Sequence, residues 1–431
     1  LLGANIFLLN GKFNYMKKFL PITTLALLLC ISSLYGQEKD SLKFSFSGFT
    51  RFDYWNDTRV TDDAIEGIFS LVPSAKLPDS YGNDLNAHPS ANALAVSSRI
   101  RLNISGKRVF GANASSLLEA DFTGSSGSSR VRLRQAAITL AWPTTTLLIG
   151  NYWHPMVVPE TFPSVLGLST GAPLQAFNRS PQVTFTYKSA SHFSIAATAS
   201  WESDYTSNGP DGYSSKYLRN TSIPDFTLHL KFSSSAVMMG VLGDIFVLQP
   251  RVYTVSPLDA DIIKQTSATV TSFSYQGYIK YSTSKFFITT KAMIGQNLVH
   301  YLMLGGYGTT SINGQTGAAE YTPFTHFFTF LNIGYGNSVK PSIFIGYAKN
   351  LGTDKTIVGT DKNIYGRSLN IASMYRIAPN ISWTIKNFML ATEVEYTNAE
   401  YGTFEFPSKG NLVNRYHVSN TRVLLVAQYN F

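Results

Sequence analysis

The chain of 431 residues carries 14% charged and 13% aromatic side chains with a formal charge of +9, against about 25% charged residues in soluble proteins. Mean hydropathy is near zero, yet the only long apolar run lies at the amino end, which excludes a helix-bundle membrane protein. The positive excess is modest and not clustered on one reading element, so no nucleic-acid partner is expected.

In chain order, Met16, Lys17 and Lys18 supply a basic start and residues 19–34 an apolar core, the pattern of a secretory signal peptide with cleavage near Gly36 and Gln37. Residues 1–36 are read as upstream residues plus signal, and 37–431 as the mature domain. Removing the first part takes away three lysines and no acid, so +9 falls to +6. It also removes Cys30, the single cysteine, as suits an exported chain.

From there the main signal is alternation at period two, which a strand between lipid and water must show. In the first segment Leu42, Phe44, Phe46, Phe52 and Tyr54 lie opposite Lys43, Ser45, Ser47, Arg51 and Asp53. Fourteen further segments follow, near residues 94–106, 114–124, 129–142, 145–153, 181–188, 192–203, 225–233, 236–248, 269–282, 285–297, 324–336, 341–350, 363–377 and 380–397. The last, ending at Phe431, sets Val423, Leu425, Ala427 and Tyr429 opposite Asn420, Arg422, Gln428 and Asn430. The fold class expected is all-β: a transmembrane antiparallel β-barrel of about sixteen strands with short periplasmic turns and long external loops. Aromatic residues near the segment ends, such as Tyr54, Trp142, Tyr152, Trp201, Tyr335 and Tyr429, suit the membrane interface. Two places strain the pattern. The apolar face switches between Leu133 and Ile138, which requires a bulge or a shorter strand, and Ala378-Pro379-Asn380 reads as a turn or kink.

A barrel of this size leaves an aqueous channel, so the polar face carries the function. Arg99 and Arg101 share that face of the second segment, Glu119 and Asp121 that of the third, and Arg130, Arg132 and Arg134 that of the fourth. Folding about the turns near Phe110 and Ser126 sets Arg99, Asp121 and Arg132 in one cross-strand row and Arg101, Glu119 and Arg134 in the next. Such rows stiffen the wall, and their surplus arginines can also guide anions. Arg51, Arg422 and Lys280, with Lys231 and Lys291, add positive charge, while Asp53, Glu202, Glu393 and Glu395 offset it. The third external connection, residues 154–180, is apolar for a loop and has Glu160 as its only acid. It is expected either to fold into the pore as a constriction or to pack on the rim or a neighbouring subunit.

Catalytic and metal motifs do not reach the required context. Gly167-Leu168-Ser169-Thr170-Gly171 matches the nucleophile elbow but has no strand before it or helix after it. No histidine pair has metal spacing, so no metal and no cofactor are expected, and the chain is not read as an enzyme.

Residues 97–153 resemble the DcaP-like family of trimeric outer-membrane porins through Ser98-Arg99-Ile100-Arg101, Glu119-Ala120-Asp121-Phe122-Thr123-Gly124, Arg132-Leu133-Arg134-Gln135-Ala136 and Ile149-Gly150-Asn151-Tyr152-Trp153. The terminal Phe431 is similar to the aromatic residue that barrel assembly machinery reads. The resemblance implies a homotrimer in the Gram-negative outer membrane, in contact with its lipids, that passes small anionic solutes such as dicarboxylates past Arg99, Arg101, Arg132 and Arg134. The expectation is a passive porin for small, preferably anionic, hydrophilic solutes. The alternatives are a transporter for a specific, for instance hydrophobic, substrate, which would need an amino-terminal plug, or an outer-membrane hydrolase, which would need a Ser/His/acid set on neighbouring external strand ends.

Overall fold

The computed structural model describes residues 41–124 and 130–431. The segment 1–36 with Cys30 lies outside the described residues, as does most of the expected turn near Ser126. Sixteen antiparallel strands close into a barrel. The first eight are β1 (Lys43–Asp57), β2 (Arg99–Val109), β3 (Ala112–Asp121), β4 (Arg132–Ala141), β5 (Thr145–Trp153), β6 (Arg179–Lys188), β7 (Phe193–Ser200) and β8 (Asp225–Ser233). The second eight are β9 (Val237–Leu248), β10 (Val270–Ser282), β11 (Phe286–Gln296), β12 (Ala319–Tyr335), β13 (Val339–Thr353), β14 (Ile371–Ile385), β15 (Phe388–Phe404) and β16 (Leu412–Asn430). Residues 49–57 of β1 pair with 422–430 of β16, and residues 43–49 pair with 99–105 of β2, so both chain ends seal one seam. Closure leaves no open sheet edge in the bilayer, where an unpaired backbone group would cost several kcal/mol.

Alternation becomes geometry on β10: Phe273, Tyr275, Ile279 and Tyr281 are exposed on the outer face, while Ser272, Ser274, Gln276 and Tyr278 are buried within. No helix among the described residues is long and apolar enough to cross a membrane, so crossing falls to the strands. Turns at one end are tight, as at Phe110-Gly111 and Lys386-Asn387, and the other end carries the long connections, among them 58–98, 154–178, 201–224 and 297–318.

Two expected boundaries change. The segments placed at 363–377 and 380–397 are strands at Ile371–Ile385 and Phe388–Phe404, and the turn falls at Lys386-Asn387 rather than at Pro379. Pro379 sits mid-strand opposite Ile343, and the ladder to β15 skips it between Ile377↔Tyr396 and Asn380↔Glu393, so its missing N–H removes no paired donor. Of the two devices the face switch allows, both occur on β4: the strand is shorter than the expected 129–142, and the register to β3 shifts between Glu119 and Ala120, so that Arg134 and Gln135 are both buried inward.

The interior is not uniformly polar, which corrects the simple picture of an apolar outside and a polar lumen. Leu242, Met293, Phe328, Phe330, Phe344 and Met374 face inward and are buried beneath Met156, Val157, Val158 and Leu174 of the third external connection. Trp55, Leu424 and Val426 are covered in the same way by Phe69, Leu71 and Leu166 from the first and third connections. Inward apolar residues are stable here because a second layer of chain takes them out of water.

Candidate channel and its arginine wall

The ladder of charges forms on β2, β3 and β4 because residues on one face of neighbouring antiparallel strands meet in rows. Arg99 pairs across from Asp121 and Arg101 from Glu119, while Asp121 faces Arg132 and Glu119 faces Gln135, with Arg134 carried in by the bulge. Glu119 accepts from Arg101 at 2.6 Å and from Arg134 at 2.8 Å, and lies 3.7 Å from Arg99. Asp121 accepts from Arg134 at 2.6 Å, Arg132 at 3.1 Å and the Thr123 hydroxyl at 2.7 Å. Four guanidinium groups thus share two carboxylates.

Exposure separates the four. The Arg134 side chain is 5% exposed, against 24% for Arg99, 40% for Arg101 and 24% for Arg132. Arg134 is therefore a buried clamp, whereas the other three keep part of the side chain in water, Arg101 the most, with Nε of Arg99 buried. Below them, towards the tight-turn end, a basin of 610 Å³ is lined by Lys43, Ser105, Lys107, Arg108, Asn113 and Ser115. Ser105 is four residues along β2 from Arg101, roughly 13 Å at strand rise, so cationic and small polar groups continue down one wall.

The third connection crosses the interior and docks on the opposite wall. Ser164 donates its amide to Asn332 of β12 at 2.7 Å, and its carbonyl accepts from Ser342 and Asn380. The amide of Leu166 donates to Glu393 at 2.8 Å, and its carbonyl accepts from Arg51 at 2.6 Å. Lys291 donates to the Val157 carbonyl, and Arg376 to those of Ala172 and Leu71. Leu174 reaches the wall only because residue 346 is glycine: a Cβ there would stand 2.6 Å from the Leu174 methyl. Glu160 points back to water, half exposed, and pairs with Lys231 at 2.7 Å, while its carbonyl accepts from Lys280 at 2.7 Å. Burial works against the Glu160 carboxylate, yet Lys231 holds it below the usual carboxylate range.

No family profile and no curated protein matches the chain by sequence. Solved structures do match by shape. The outer-membrane channel DcaP of Acinetobacter baumannii aligns over 92% of this chain and 99% of its own, with TM-score 0.61 and 16% identity. OmpT of Vibrio cholerae in its trimer form covers 91% and 100% at TM-score 0.52 and 10% identity, and an anion-selective porin from Comamonas acidovorans covers 91% and 100% at 0.53 and 7%. The fold is that of the outer-membrane channels. The resemblance seen over residues 97–153 thus extends, as a fold, along the barrel.

Within this porin fold the sequence-derived residues divide. Arg99, Arg101 and Arg132 converge with Glu119 and Asp121. Arg51 closes on Asp53 at 2.5 Å and Arg422 on Asp57 at 2.6 Å, all four buried, so these two arginines hold the seam of the barrel instead of lining water. Arg130 lies outside β4, in the second connection, where it pairs with Glu66 at 2.8 Å. Glu202 falls in the fourth connection just past β7, because that strand ends at Ser200. Residues that sequence reasoning passed over include Arg376 and Arg179. Arg376 is on the inward parity of β14 with Met374 and Ala378, a signal that alternation carries. Arg179, caged by Trp153, Phe177 and Tyr205 at 4.7 to 5.3 Å, had no such signal because its rings come from three separate segments.

Proposed function

We propose that this chain is a porin of the Gram-negative outer membrane that lets small hydrophilic solutes diffuse passively, with a preference for anions. The observation that carries the reading is the arginine wall: four guanidinium groups against two carboxylates, with the Arg99, Arg101 and Arg132 side chains partly exposed to water. An anion about 4 Å from one guanidinium gains about 1 to 4 kcal/mol between bulk water and a protein surface. That is enough to concentrate it and small enough to release it, as conduction requires. The basin with Lys43 and Arg108 offers the next stop along the wall.

Homotrimer formation through the barrel wall and recognition of Phe431 by the assembly machinery belong to the same reading. Phe431 supports it by exchanging backbone hydrogen bonds with Gly48 at 2.9 and 3.1 Å, so the terminal residue sits at the closing seam. Proteoliposomes loaded with an impermeant osmolyte test the function: swelling should be faster in a small dicarboxylate than in a diamine of equal length. Equal rates would remove the anion preference, and no swelling in either would remove the channel.

A further inference from the structure

A second charged cluster lies away from the arginine wall, at the root of the inserted loop. His154 follows β5 and opens that loop, Asp225 begins β8, and Asp244 lies on β9; they are 1%, 3% and 2% exposed. One donor atom from each lies within 4.8 Å of the other two, and His154 Nε2 is 3.2 Å from Asp225 Oδ2. His300, from the sixth connection, stacks on Phe246 and brings its Nε2 within 3.8 Å of the same oxygen.

Charge and hydrogen bonding are both unbalanced there. Among the described residues no lysine or arginine forms an ion pair with Asp225 or Asp244; the basic groups at that distance from Asp225 are the two histidines, and Asp244 has none. The Tyr301 hydroxyl stands 3.1 Å from Asp244 and 3.3 Å from Asp225 and has one proton for the two, and Thr227 donates to the far oxygen of Asp244 at 2.8 Å. Asp225 Oδ1, His154 Nε2 and both ring nitrogens of His300 make no hydrogen bond although all are buried. Two carboxylates side by side away from water call for positive charge. Nitrogen and oxygen donors in a compact set suit a transition-metal dication better than calcium, which takes six to eight oxygens.

We propose that His154, Asp225 and Asp244 form a binding site for a divalent transition-metal ion of the zinc class, with His300 as the neighbouring nitrogen donor. Binding through Nε2 moves the single ring proton of neutral His154 from Nε2 to Nδ1, a tautomer shift with no net proton release, so the 3.3 Å contact in which Nδ1 accepts from the Met156 amide opens. The ion ties the first residue of the inserted loop to β8 and β9, three and four strands further round the barrel. It would set how firmly the constriction is held. This inference stands on the loop's position and is independent of anion preference.

The test is zinc titration by calorimetry of tag-free, detergent-folded protein after chelator treatment, with folding checked by heat-modifiable migration. One zinc per chain is expected, with affinity at least tenfold weaker in Asp225→Asn/Asp244→Asn and unchanged in Asp211→Asn, an exposed loop acid. His154→Gln, in which both carboxylates remain, should also weaken binding and serves if the double variant does not fold. Absence of saturable uptake by the folded parent, or uptake equal in parent and His154→Gln, would overturn the site and leave a proton-sharing network in its place.

Discussion

The two sides of the barrel interior are built by the same alternation and end in opposite states. On β2 to β4 the inward residues include Arg99, Arg101 and Arg132, which keep part of their side chains in water around two buried acids; on β11 to β14 they include Met293, Phe328, Phe330, Phe344 and Met374, covered by residues 156–174. Period two tells which residues point inward but not what they meet there. An inward phenylalanine is tolerated where a loop covers it, and an inward arginine where it can share a carboxylate and keep water.

The comparison breaks most visibly at Arg134, the one ladder arginine that is buried. Arg134→Ala leaves Glu119 and Asp121 buried without their shared partner and should cost about 3–5 kcal/mol, read from equilibrium unfolding in detergent. Arg101→Ala, at a position open to water, should leave the unfolding midpoint nearly in place. Equal midpoints for the two variants would show that the ladder does not divide into a clamp and guides.

The covered side is sharpened by the loop anchor. Leu174→Ala empties a fully buried contact against Gly346, and such truncations cost about 2–5 kcal/mol in well-packed cores. Single-channel records should show larger or noisier conductance, and Gly346→Ala should do the same from the wall side, since its Cβ would overlap the Leu174 methyl. A quiet, unchanged channel in both would mean that the loop is held by its polar contacts alone.

A smaller effect is expected at Glu160. Its carboxyl titrates below the ordinary range because of Lys231, so the contact contributes fully at neutral pH. It is lost only as pH falls through that depressed value. Acid should therefore loosen the parent's loop, whereas Glu160→Gln should show the looser behaviour at every pH; the same acid response in Glu160→Gln would assign it to another group.

Much of the barrel was legible because its signals are local. Most strands of the first half follow from residue parity, which at β4 allowed a bulge or a shorter strand and overran the ends at Arg130 and Glu202, and the alignment of Arg99 with Asp121 and Arg101 with Glu119 follows from a tight turn at Phe110-Gly111. Pro379 misled because a proline is harmless wherever its nitrogen faces a gap in the ladder, and that depends on the partner strand. The fates of Arg51 and Arg422 were hidden for a similar reason: both were placed inward, but whether they meet water or a carboxylate depends on loops folded over them. His154, Asp225 and Asp244 are separated by tens of residues, and only the closed barrel puts them together.

Reversal potential in planar bilayers under a potassium chloride gradient tests the central claim most directly, with the parent beside Arg99→Ala/Arg101→Ala/Arg132→Ala. The parent should conduct in steps with chloride preferred, and the triple variant should lose that preference while still inserting and conducting. A cation-preferring parent, or a triple variant with the parent's reversal potential, would contradict the role given to the arginine wall.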